Sequence, residues 1–151
     1  MANTQAMCTS FKGELLTGTH NFGTGVVRAS TATDTFKAAL YLATATINAS
    51  TTAYTATGEV SGTGYSAGGV TVTFGTAPST SGTTAFVTPS ASITYSSVTL
   101  STAFDCVLIY NSSQSNKAVS VHTFGSQTVT AGTFTLTMPT NDASTGLIRL
   151  A

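Results

Sequence analysis

The chain has 151 residues, 41% of them hydrophobic and only 7% charged, and its five basic and five acidic side chains cancel to a formal net charge of zero at pH 7. That length suits one domain with a real core, and the apolar fraction excludes a disordered chain, which combines low hydrophobicity with high net charge. The five cations, Lys12, Arg28, Lys37, Lys117 and Arg149, are scattered, which excludes the clustered basic footprint that nucleic-acid binding needs.

Thr and Ser supply about a third of the residues, and the branched Cβ of Thr favours pleated, half-buried surfaces, so strands are expected almost throughout. The start is the exception. Ser10 as a cap, with Phe11, Leu15 and Leu16 on one side, predicts a short N-terminal helix of about two turns, weakened by Gly13. It belongs to an arm over residues 1–25, ahead of a single β-sandwich domain over residues 26–151. Its apolar face either packs on the domain's own core or docks on a neighbouring chain.

After turn residues at Asn21, Gly23 and Gly25, residues 35–44 put Phe36, Ala38, Leu40 and Leu42 on one face by period two, which predicts a strand. Residues 48–57 show no decisive period. Residues 58–69 hold five glycines, at 58, 62, 64, 68 and 69, and read as a long irregular surface loop. From Val70 the chain becomes a run of short strand signals: 70–74, 84–88, 93–100, 104–110, 118–124, 127–130, 133–138 and 147–150. Turns are expected at 75–82, 111–116, 125–126 and 132. The phase slips at Ser96 and Ser97, which predicts a bulge. Residues 104–110, FDCVLIY, form the most continuously apolar run and the best candidate for a central strand. About eight or nine strands at this spacing predict an all-β, antiparallel sandwich.

The chemistry-bearing residues are sparse. His20 reads as a loop residue, and His122, opposite in phase to Val119 and Val121, as an exposed or rim position. Glu14, Asp34, Glu59, Asp105 and Asp142 fall on different predicted elements. Asp105, inside the most apolar run, is expected either to face outward or to be paired. No zinc spacing, calcium loop, dinucleotide fingerprint or nucleophile elbow occurs. The expectation is therefore no enzyme, no metal and no cofactor. Cys8 and Cys106 are too few for a disulfide framework and are expected as two thiols, with a pair as the alternative. The five tyrosines at 41, 54, 65, 95 and 110 suit either a protein interface or a glycan platform. Neither a signal peptide nor a membrane-spanning run is expected.

Four stretches, NTQAMCTSFKGELLTGTHNF, DTFKAALYLATATINASTTAYTATGEVSGTGYSAGGVTVT, LIYNSSQSNKAVSVHTFG and TFTLTMPTNDASTGLIRLA, together resemble small virion proteins of tailed bacteriophages. The resemblance covers nearly the whole chain and is most specific in residues 54–69, 109–117 and 139–150. It implies a capsid decoration, or cement, protein with a jelly-roll-like sandwich, made in the host cytoplasm and placed on the outer surface of the virion head. The implied partners are the major capsid protein and further copies of the chain, as a homodimer or homotrimer, with no nucleic acid and no membrane. Candidate capsid or oligomer contacts are Phe11, Leu15, Leu16 and Phe22 in the arm and Tyr54 and Tyr65 beside and within the glycine-rich loop. A tail, fibre or head-to-tail virion protein, with receptor or glycan binding, is the alternative reading.

Overall fold

The apolar run at residues 104–110 lies inside the central strand pair of the fold. The computed structural model describes residues 3–8, 11, 15, 19–23, 33–82 and 84–150. Its strands are β1 (Ala6–Met7), β2 (Phe36–Leu42), β3 (Val70–Val72), β4 (Ser79–Ser81), β5 (Thr84–Val87), β6 (Ile93–Asn111), β7 (Lys117–Leu136) and β8 (Ile148–Leu150). They form two antiparallel sheets, one of five strands in the order β1-β7-β6-β2-β3 and one of three in the order β4-β5-β8. The all-β sandwich expected from alternation is therefore the architecture found.

The strand boundaries depart from the sequence reading in one systematic way. The two strands expected at 93–100 and 104–110 are one strand of 19 residues, and the three expected at 118–124, 127–130 and 133–138 are one of 20. Gly125, Ser126 and Gly132 do not turn the chain back, because an antiparallel ladder absorbs extra residues as bulges and continues with added twist. The bulge expected at Ser96 and Ser97 is present: the register shifts between Tyr95 and Val98, and Ser97 has φ 55°. Ala131, with φ 45°, lies where the register shifts again, between Val98 and Leu100 on the partner strand.

These shifts fold the β6–β7 ribbon over itself. Phe134 pairs opposite Tyr95 at the far end of the ribbon, yet its ring centroid lies 5.0 Å from that of Phe104 and 5.2 Å from that of Phe124. Likewise Ile93 and Leu136 line the same cavity as Val107 and Ile109. The distal half thus packs on the proximal half, with residues 101–103 and 125–128 exposed between them. Strands that change layer at bulges make the corners of β-sandwiches in this way.

The N-terminal segment is part of the same core. Ala6 and Met7 pair with Val121 and Ser120, and Cys8, Phe11 and Phe22 are buried. Phe22 stacks on Phe36 at 4.8 Å and meets Phe74 edge-on at 5.1 Å. Of the two outcomes open to the arm's apolar residues, Phe11 and Phe22 therefore take packing on the chain's own core. Of the short helix expected there, Phe11 and Leu15 are the described residues. Leu16 and the rest of that short segment lie outside the described residues.

Candidate functional site

All five tyrosines converge on the loop over residues 54–69, and one carboxylate organises two of them. Glu59 accepts hydrogen bonds from the hydroxyl of Tyr54 at 2.6 Å, the hydroxyl of Tyr65 at 2.7 Å and the amide of Gly68 at 2.8 Å. Tyr41, Tyr95 and Tyr110 donate to the carbonyls of Thr55, Ala38 and Gly68 at 2.6, 2.8 and 2.8 Å. Tyr54 stacks on Tyr110 at 4.8 Å, and Tyr65 on Tyr95 at 5.9 Å.

The reason for this cluster lies in the edge of β2. Strand β3 pairs only with Phe36 to Ala38, so the remaining edge of β2 needs other partners. The Tyr95 hydroxyl donates to Ala38, the Tyr65 hydroxyl accepts from the Leu40 amide at 3.1 Å, and the Val60 amide donates to the Leu40 carbonyl at 3.0 Å. Phenols and loop backbone stand in for a strand. The loop must approach closely to do so. At Gly69, φ is 72° and a Cβ would sit 1.7 Å from the Ala38 carbonyl oxygen; at Gly64, φ is 78° and the clash would be with the Ser97 carbonyl oxygen at 2.2 Å.

Chemically this cluster holds structure. Burial first, then the hydrogen bond to Glu59, raises Tyr54 to about 12 and lifts Tyr65 well above the ordinary phenol range. Burial also raises Tyr41, Tyr95 and Tyr110. All five are neutral donors at physiological pH; Tyr41, Tyr95 and Tyr110 are buried, and Tyr54 and Tyr65 are half-buried.

A second polar cluster closes the β6–β7 hairpin. The buried Asn111 amide donates to Asp34 at 2.8 Å and lies 3.1 Å from His20 Nδ1, while its carbonyl oxygen accepts from the amides of Ser113 and Gln114. His20 is a loop residue as expected, but an interior one, packed against Phe11 with ring centroids 4.8 Å apart. Asp105 is half-buried and accepts a 2.5 Å hydrogen bond from Asn3, so it is paired. Cys8 and Cys106 both remain thiols and are buried, and burial pushes Cys106 up to about 12.

The third feature is the cavity between the two halves of the ribbon. It measures about 120 Å³ and is walled mainly by aliphatic side chains, with His122 as its one imidazole. His122 is half-buried, not fully exposed at a rim, and burial lowers its pKa to about 4, leaving it neutral at pH 7. Its Nε2 lies 2.9 Å from Ser120 Oγ.

Of the contact residues expected from sequence, Phe11 and Phe22 are core residues, while Leu15 is half-buried beside the exposed Leu150 in a small apolar dimple. Tyr54 and Tyr65 are half-buried in the Glu59 cluster. Sequence reasoning passed over Glu59 itself. The signal available was a single carboxylate within a glycine-rich loop, five residues from one tyrosine and six from another. Among the described residues no group of three or more His, Cys, Asp or Glu side chains is placed to hold a metal ion, and no helix is long and apolar enough to cross a membrane. The fold defines an all-β protein of two packed antiparallel sheets. Comparison with protein-family models, curated proteins and solved structures finds no match to this chain.

Proposed function

We propose that this chain is a structural virion protein that decorates a bacteriophage capsid and stabilises it by bridging neighbouring major capsid protein subunits. The observation that carries the reading is the outer edge of β7. Beyond Val121 no described strand pairs with it, and residues 123–138 contain no charged residue and no proline. Charges, prolines and bulges are the usual protections of a free edge; this one has bulges but neither charge nor proline, so its straight stretches are suited to accept a strand or loop from another chain. Bulges divide it into short straight stretches, which favours a few specific main-chain bonds over open-ended stacking. Zero net charge removes the repulsion between copies that would oppose dense packing on a shell. A subunit that binds only the assembled shell stabilises it by mass action.

Negative-stain microscopy of capsids with and without the protein tests this. Added density at regular lattice points on the head is the expected result. Density confined to the tail, or none on capsids incubated with excess protein, overturns it.

A further inference from the structure

We infer that the cavity inside the folded-over β6–β7 ribbon is a binding site for a small, uncharged, ring-sized molecule carrying one hydroxyl group. The cavity is about 120 Å³, close to the ~150 Å³ at which an apolar protein cavity admits benzene. Its walls come from both halves of the ribbon, Ile93 and Leu136 from the distal half and Val107 and Ile109 from the proximal half, with Met138 at one side. Met adapts its shape to what it packs against, and the site is not sealed from solvent. Thr123 and Thr137 are the other polar side chains of the wall, and an apolar pocket with a few convergent polar groups and a perturbed titratable residue is the ordinary form of a small-molecule site.

His122 sets the polar requirement. Its Nε2 is engaged by Ser120 Oγ, and no hydrogen bond occupies Nδ1 among the described residues. If Ser120 donates to Nε2, the Nδ1 proton is available to a ligand; if Nε2 donates to Ser120, Nδ1 accepts. A hydroxyl both donates and accepts, so it satisfies either tautomer. The imidazole is neutral at pH 7 because burial lowers its pKa to about 4. No carboxylate, Lys or Arg lines the cavity from β6, from β7 or from the segment that follows. An ionised ligand would therefore be buried without a counter-charge, which excludes carboxylates and amines.

Phenol is the probe, with toluene and benzoate as controls, titrated into the full chain at pH 7 and followed by methyl and histidine-ring NMR. Phenol is expected to shift the methyls of Ile93, Val107, Ile109, Leu136 and Met138 and the His122 ring, saturably. Toluene, lacking the hydrogen bond, should bind about tenfold more weakly, and benzoate should not bind. His122→Leu should erase the preference for phenol over toluene while leaving toluene binding in place. Shifts spread over the surface, shifts that do not saturate, or equal binding of all three compounds overturn the inference. The localisation is read on the unaltered chain, so the result stands even if the variant folds poorly.

Discussion

The open edge of β2 and the folded-over β6–β7 ribbon are closed by different physics. At the edge, the loop over residues 54–69 is fastened by phenol hydroxyls and the Glu59 carboxylate to defined backbone groups. The ribbon instead folds onto its own apolar residues around Phe104, Phe124 and Phe134. The first closure is directional and leaves little choice of geometry. The second depends on area and shape, and it leaves a cavity.

Breaking the apolar closure should have the largest effect. Phe104→Ala removes a fully buried ring at the centre of the aromatic trio, and a loss of about 3–5 kcal/mol in urea unfolding is expected. A loss under about 1 kcal/mol would show that the ribbon halves are not packed together. Breaking the polar closure comes next. Glu59→Ala strands two phenols and an amide and should lower stability by about 2–3 kcal/mol, with Glu59→Gln, which keeps an acceptor oxygen, losing about 1 kcal/mol. Equal losses for the two would mean that the charge, not the acceptor geometry, fastens the loop.

A pH titration sharpens the same contrast. The His122 pKa is about 4 in the fold against 6.5 in an unstructured chain. Above pH 6.5 both states carry neutral imidazole. As pH falls from 6.5 to 4 only the unfolded state gains the proton, so stability falls through that window, by up to about 3 kcal/mol, and levels off below it. His122→Gln should remove that part of the slope. The smallest effect on folding is expected at the exposed Thr133 on the β7 edge. Thr133→Lys should change stability by no more than about 0.5 kcal/mol, yet weaken capsid co-sedimentation at least tenfold if that edge is the contact. Unchanged binding would move the contact elsewhere.

Much of the fold was legible one strand at a time. The alternation of Phe36, Ala38 and Leu40, the apolar run at 104–110, the polar connection at 111–116 and the slip at Ser96 and Ser97 all appear where the sequence predicts them. The candidate sites were far less legible. Glu59 gathers partners from its own loop, but the loop's attachment depends on Ala38, Leu40, Tyr95 and Tyr110, which lie up to about 50 positions away and announce nothing by spacing. His122 follows the alternation of its strand, yet it is half-buried, because a second layer of the same strand pair lies over it.

By itself the sequence determined the class: threonine-rich alternation specifies pleated strands, and an almost uncharged composition specifies a surface with little repulsion. These are local and compositional properties, set by side-chain branching and charge. Tertiary structure decided that glycines 125 and 132 lie within one continuous strand, that the tyrosine hydroxyls are tied to the loop and to β2, and that Phe11 and Phe22 complete the core. Those outcomes depend on which distant groups can satisfy a buried hydroxyl or fill a gap between layers, and that choice is made only when the ribbon folds back on itself.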